Sequence, residues 1–460
     1  VIEMTQNYPD LWKVAKSIEG LISGSGLHAG GVIFVDEPFT ESTGLMRAPD
    51  GTICTQFELH DAEAASLIKY DALSVEALDK IHNCIDLLCE DGLIIRENTL
   101  KQTYENVIGI YNLERNDPKM WEMVWEHKIN SLFQMEGQTG IQGIAQLHPT
   151  SVDDLAILNS TLRLMAQEKG GEMPTEKLAR FKADSSQWDS EIEKYGLDLK
   201  YKKILEPVLG MSYGLCIAQE QFMELVQLPE LGGFNLTWAD RLRKSIAKKS
   251  PKDYQILTEE FYKTIEEKGI DKRFATYVWE VLIAMSRGYG FNQSHTLAYS
   301  LVALQEMNLA FKFPITYWNC ACLISDAGGN EEDELESEEE ENFISCEEEY
   351  YDDIENFDLE DDDNDDDDEE IEDDEEQKTS SKKKKKTKAV NYGKIASAIG
   401  KITSTGVKII SPNINSSSFT FTPDIDNNAI RYGLSGITRI GNDLIKIIIE
   451  NRPYKSLEDF

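Results

Sequence analysis

The chain has 460 residues, 41% hydrophobic and 28% charged, with seven cysteines and a formal net charge of −38. No apolar run approaches the roughly 20 residues of a membrane-crossing helix, and no CxxC pair marks a zinc or redox site. The charge belongs mostly to one stretch: residues 331–377 hold 31 acids and no base, and 378–388 hold seven lysines and no acid, so 84 acids and 46 bases fall to 53 and 39 elsewhere. The remainder is only mildly acidic, and any basic surface is a local patch.

The length accommodates about three domains. Residues 1–25 read as a helix running into the glycines of "SGSGLHAGG". The first residue is Val1, and no charged-then-apolar leader opens the chain, so it reads as part or product of a longer protein without a signal peptide. "GGVIFV" and "SLIKYD" read as strands around a "PDG" turn and the strand-like "ICTQFEL". Alternation in "SLIKYD" puts Lys69 and Asp71 on one face, with Ile68 and Tyr70 on the other. The segment is apolar enough to be buried, and a buried charge needs a partner or a metal. His28, flanked by glycines, points to a tight backbone turn.

From about 73 to 325 the period is helical, as in "VEALDKIHNCIDLLCE" and "TLAYSLVALQEMNLAF", with Pro314 closing the latter. Within "ADRLRKSIAKKSP" the helical spacing gathers Arg241, Lys244 and Lys248 on one face, opposite Leu242 and Ile246. That face is the densest cationic cluster in an acidic background, and it suits either solvent or phosphate. In "GYGFNQSH", Gly288 and Gly290 permit close backbone approach, while Asn292, Ser294 and His295 offer polar contacts. Gln134, Glu136, Gln219 and Glu220 read as framework positions.

Residues 329–388 cannot build a core and read as a solvated, disordered insert. The acids could also mimic nucleic acid or hold the lysines away from it, and "KKKKK" fits a nuclear-import pattern weakly. Regular structure resumes near 390 with a helix, short strands and the closing "LSGITRIGNDLIKIIIENRP", whose Ile445, Ile448 and Ile449 form an apolar stripe. Asp424 and Asp426 in "TPDIDNN" read as turn residues of a hairpin. Cys54, Cys84, Cys89, Cys216, Cys320, Cys322 and Cys346 read as free thiols of a reducing compartment.

Six stretches, in the order "GLHAGGVIF", "TQFELHDAEAASLIKYD", "SLFQMEG", "YGLCIAQEQFMEL", "ADRLRKSIAKKSP" and "GYGFNQSHTLAYSLVALQ", resemble the bacterial C-family replicative DNA polymerase, the DNA polymerase III alpha subunit. The likeness covers most of 1–325 and resumes over 393–460. It implies a mostly helical α+β fold. Residues 1–25 would be the end of the thumb or entry helix, and 26–90 the C-terminal part of a nucleotidyltransferase-like palm. Helical fingers would occupy 91–328, the insert 329–388, and the start of the duplex-binding region 389–460, with its helix-hairpin-helix.

The resemblance implies a two-metal nucleotidyl transfer, with three palm aspartates holding two Mg²⁺ ions. Asp71 matches the third aspartate, both catalytic and metal-holding, and Lys69 matches a lysine that meets phosphate. The family's other two form an upstream Asp-x-Asp pair, which an N-terminal part or a second chain would bring. Arg243, Lys244, Lys248 and Lys249 match cations that hold the incoming triphosphate. Arg163, Asn292, Ser294 and His295 match further nucleotide- or phosphate-binding positions. Arg439 and Gly441 lie in the helix-hairpin-helix, which presents backbone N–H groups to a DNA phosphate. Four departures stand out: Ala247 and Arg439 replace usual glycines, Gln293 replaces a lysine, and no Pro-Gly-Pro follows Arg163.

The expected function is therefore part of a DNA-directed DNA polymerase, inactive as this chain alone. Its expected partners are primer–template DNA, dNTP, the N-terminal polymerase part, the sliding clamp and other replisome subunits, with no membrane. The expected compartment is the cytoplasm of a bacterium or of its infected host. The alternative is a non-catalytic DNA- or partner-binding subunit that kept the fingers. Retention of Lys69 and Asp71 favours the polymerase.

Overall fold

The computed structural model describes residues 7–19, 21, 26–28, 30–35, 38–48, 51–71, 75–164, 172–247, 250–287, 290–327, 392–437 and 440–460. The insert expected over 329–388 lies outside them. So do Lys248, Lys249, Gly288 and Arg439. The chain divides into two units, Val1–Glu76 and Ala77–Phe460.

The first unit opens with helix α1 (Pro9–Ile18), shorter than the sequence suggests. Proline at its first position has φ preset for a helix start but no N–H to continue one backwards, and Glu19 turns extended at the other end. No residue of α1 is buried. Strand β1 (Gly31–Phe34) pairs antiparallel with β4 (Ile68–Asp71), in the register Gly31↔Asp71 and Ile33↔Lys69. Between them β2 (Leu45–Arg47) pairs with β3 (Ile53–Thr55). The strand expected through "ICTQFEL" stops at Thr55, and helix α2 (Leu59–Ala64) takes over, with Asp61 in its first turn to suit the positive helix end. A second expectation fails too. Ile68 and Tyr70 are not buried but 60% and 57% exposed, on one face with Val32 and Phe34 at 47% and 59%. The only cover among their own rings is an edge-on contact of Phe34 with Tyr70, 5.0 Å between centroids.

The second unit is helical and densely packed. Helix α3 (Glu76–Glu90) contributes Lys80, Ile81, Cys84 and Leu88 to the interior. Ser151 caps α4 (Val152–Thr161), accepting the Asp154 N–H. Helix α5 (Gln219–Gln227) packs on α6 (Leu236–Ala247), which packs in turn on α7 (Pro251–Glu267). A π-helical turn over Tyr277–Ile283 buries Trp279 against Phe261, 4.5 Å between ring centroids. The long α8 (Gln293–Lys312) lies along α4 and against α9 (Ile315–Ala327), with Phe313 and Pro314 breaking the chain between α8 and α9.

Helix α10 (Tyr392–Ser404) packs on α9. A small sheet follows, in the order β5 (Lys408–Ile410), β7 (Ala429–Arg431), β6 (Thr422–Asp424). Asp424 accepts from Asn427 and Arg431 beside the β6–β7 turn, as the hairpin reading expects. Helix α11 (Asn442–Glu450) closes a small core of Leu434, Ile445 and Ile448, with Ile449 packed against it. Among the described residues no helix is long and apolar enough to cross a membrane.

Candidate functional site

In the first unit, the strand register brings Lys69 into the space above Gly31. A Cβ placed on Gly31 would sit 2.8 Å from the Lys69 Cε and 2.9 Å from the His28 Nδ1. Only a residue without a side chain leaves room for both. The His28 ring is also fixed locally, because its Nδ1 accepts the Gly30 N–H at 3.2 Å. The histidine thus walls the lysine stem. Lys69 is half-buried, and its backbone lies two residues before Asp71, which pairs with Gly31 at the end of the ladder. The Asp71 side chain lies outside what the structure describes.

In the second unit, one surface gathers residues from three distant segments. The packing of α8 along α4 brings Arg163, just past the end of α4, to the start of α8. The Arg163 guanidinium donates to Gln134 Oε1 at 2.8 Å and lies 5.5 Å from the centre of the Phe291 ring. His295 stacks on the same Phe291, 4.7 Å between centroids, and touches Tyr299 at 4.0 Å. Phe133 also meets Tyr299, 5.0 Å between ring centroids. Burial first, and then the neighbouring Arg163 charge, lower the His295 pKa below its ordinary 6.5. At neutral pH this imidazole is an uncharged stacking and hydrogen-bonding group rather than a cation. The assembly offers flat π surface with one cation, which suits a base or sugar–phosphate better than a bare phosphate.

The segment carrying Phe291 is clamped to α5. Ala218 and Phe291 form a parallel bridge, Phe291 O accepts the Gln219 N–H at 2.9 Å, and the Gln219 amide donates to Gly290 O. Glu220 accepts the Gln293 N–H at 3.1 Å. Gln219 and Glu220 are framework, as expected. Asn292 caps α8 by accepting the His295 N–H at 2.7 Å, and the Ser294 hydroxyl donates to the same oxygen at 3.1 Å. Their visible work is therefore to start the helix that carries His295.

Helix α6 shares the α5 platform. Leu242 and Ile246 are buried, and Arg241 and Lys244 face outward, matching the helical reading. The cations are already engaged: Arg243 and Lys244 both meet Asp240 at 2.8 Å, and Arg241 meets Glu260 at 3.3 Å. Lys244 and then Arg243 hold the Asp240 carboxyl below its usual range. The Trp238 indole N–H and then Arg241 do the same for Glu260. Near the chain's end, Gly441 is the residue that starts α11, leaving the first N–H groups of that helix directed past it.

Sequence reasoning missed Phe291 and Tyr299 as members of the site. Tyr299 lies four residues past His295, on the same helical face, and that spacing was the available signal.

Three family descriptions match the chain. Residues 1–74 match the bacterial DNA polymerase III alpha NTPase domain, 93–269 its finger domain, and 406–460 a helix-hairpin-helix motif. The DNA-directed DNA polymerase of Bacillus phage SPbeta is 36% identical over 459 residues, covering 100% of this chain and 32% of that protein. Over 1–74 and 93–269 the chain thus carries the marks of two domains of the bacterial DNA polymerase III alpha subunit. DNA polymerase III subunit alpha of Borreliella burgdorferi is 27% identical over 98% of the chain, and that of Thermus aquaticus 25% over 100%. The chain spans about a third of the length of the curated relatives it matches.

Among the described residues no three His, Cys, Asp or Glu side chains gather where they could hold a metal ion.

Proposed function

We propose that this chain supplies the C-terminal part of the palm (26–90), the fingers (91–328) and the start of a duplex-binding region (389–460) to template-directed transfer of a dNTP onto a primer 3′ end. The observation that carries the proposal is the meeting of Arg163 and His295, far apart in sequence, on one aromatic surface clamped to the helix that also supports the basic α6. In this reading the Phe291–His295–Tyr299 surface receives a base or sugar by stacking. Arg163, Arg243 and Lys244 meet phosphate oxygens, as do Lys248 and Lys249. Asn292 and Ser294 hold His295 in place.

Lys69, its stem held between Gly31 and His28, meets phosphate in the palm, and Asp71 serves beside it as one metal-holding carboxylate. Two Mg²⁺ ions would supply charge neutralisation at the attacking and leaving oxygens when bound. The remaining two carboxylates come from an upstream Asp-x-Asp segment. The exposed ribbon face of Val32, Phe34, Ile68 and Tyr70 supports such a partner, since a sheet face of this kind is stable when another layer covers it. Gly441 and Arg439 contact duplex phosphate, and the sliding clamp and other replisome subunits attach to the complete polymerase in the cytoplasm.

Reconstitution tests the proposal. The chain alone is expected to show no Mg²⁺-dependent primer extension, and addition of an upstream Asp-x-Asp segment should restore it. Asp71→Asn should then abolish extension, a loss beyond about 10³-fold given the several kcal/mol at stake in metal-assisted transfer. Normal extension by Asp71→Asn would remove Asp71 from the site. DNA binding without restorable extension would favour the non-catalytic subunit.

A further inference from the structure

Helix α8 reads as an almost continuous apolar run, "LVALQEMNLAF", yet carries Glu306 at its centre. That side chain is fully buried. A carboxyl in such a place needs a reason, because burying it without compensation is costly. Its Oε2 accepts the Phe133 N–H at 2.7 Å. Lys80, also buried, reaches the Glu136 carboxylate at 3.4 Å. Two interior side chains, from α8 and α3, thus hold the two ends of the four-residue segment 133–136. Between them Gln134 adopts the left-handed conformation, φ 65°, which is uncommon for a residue with a side chain. This backbone aims its amide outward, where Oε1 receives Arg163 at 2.8 Å. The Trp318 indole adds a third hold by donating to Asn130 O at 2.8 Å.

We infer that Glu306 is a positioning residue for the outer aromatic surface: from inside the core it fixes Phe133–Glu136, and through Gln134 it sets Arg163 over Phe291 and beside His295. The chain of contacts is continuous, from Glu306 to the Phe133 N–H, the Gln134 turn, Arg163, Phe291 and His295. The groups facing Glu306 are Lys80, Glu136 and the buried thiol of Cys322. Burial pushes its pKa well up, while the Phe133 N–H and the Lys80 charge pull it back. Burial thus favours the neutral form of Glu306, and accepting the Phe133 N–H is a job an amide can also do. The significance for nucleotide binding rests on the function proposed above; the positioning itself does not.

The test follows the histidine Cε1–H resonances of the full chain across pH, with His295 assigned by its loss in His295→Gln. Arg163→Met sets the scale: removing that charge should raise the His295 pKa. Glu306→Met keeps the bulk but removes the acceptor, and should raise it as well. Glu306→Gln keeps an acceptor and should leave it unchanged. The double variant Glu306→Met/Arg163→Met should raise it no further than Arg163→Met alone. An unshifted His295 in folded Glu306→Met, or a shift that adds to that of Arg163→Met, overturns the inference. If Glu306→Met does not fold, the Phe133 amide decides: slow hydrogen exchange in both the parent and Glu306→Gln supports the link, and fast exchange in the parent overturns it. In the reconstituted polymerase, Glu306→Met should raise the dNTP KM several-fold with kcat little changed. A shifted His295 with unchanged nucleotide kinetics would keep the Glu306 link and sink the nucleotide-facing reading of the surface.

Discussion

The ribbon of β1 and β4 and the helical interior around Trp279 use the same kinds of residue to opposite ends. In the ribbon, Val32, Phe34, Ile68 and Tyr70 alternate as a strand requires, yet each stays about half exposed. Around Trp279 the apolar residues are shut away: Phe261 stacks on it, Tyr254 lies 5.4 Å off, and its indole N–H donates to Thr258 at 3.2 Å. Apolar character proposes burial, but only an opposing layer delivers it. The helical unit provides that layer from its own neighbouring helices. In the ribbon, backbone pairing and one glycine position Lys69, with little help from packing.

The largest effect that separates the two regions is a matched pair of truncations. Trp279→Ala should destabilise the protein by about 3–5 kcal/mol, as large core aromatics do, whereas Phe34→Ala should change stability by less than about 0.5 kcal/mol. Urea midpoints measure both, and comparable losses would mean that the ribbon is as tightly packed as the core. Next comes Gly31→Ala. The new methyl pushes on the end of the half-buried Lys69 stem and on the exposed His28 ring, so the melting temperature should change little, while displacement of Lys69 should slow reconstituted primer extension about tenfold. An unfolded variant would show that the ribbon carries stability after all.

A smaller effect is expected at an exposed cation of the helical unit. Lys244→Ala should raise the apparent dNTP KM about fivefold with stability unchanged, and flat nucleotide kinetics would leave α6 a solvated face. The last is a slope rather than a step. Burial raises the Glu306 pKa above its ordinary 4.5, so the folded chain keeps a proton that the unfolded chain releases. Stability from this group is present below that value and falls as pH rises towards the folded pKa. Glu306→Gln should therefore gain on the parent protein as pH rises from 4.5, and a gap independent of pH would mean that the carboxyl is ionised inside.

Much of this was legible in the sequence because it rests on local periodicity. The basic and apolar faces of α6, the break at Pro314, the β6–β7 hairpin and the isoleucine stripe of α11 all follow from spacing alone. The ribbon strands were legible too, but their exposure was not: alternation fixes which residues share a face, and not whether anything covers it. "FEL" was mistaken for strand because its neighbours are β-formers, while the acid three residues on favours a helix start. At the site, Arg163 and His295 were found by resemblance, and Phe291 and Tyr299 were passed over as ordinary aromatics. Asp240 and Glu260 escaped notice because counting cations says nothing about which carboxylates already hold them. Glu306 left one visible trace, a lone acid in an apolar helical run.

The pairing of Asp240 with both Arg243 and Lys244 would make the anion capture proposed for α6 an exchange rather than a simple association. An incoming anion must do better than a carboxylate already in place. A singly charged ligand only draws level with Asp240, whereas a polyphosphate brings several charges to the same contacts and wins. Fewer small ions are then set free than the number of cations suggests, so binding here should weaken less steeply with salt than at an equally basic but unpaired surface. If α6 binds phosphate as proposed, it would discriminate by charge density, with the resident carboxylate setting the threshold.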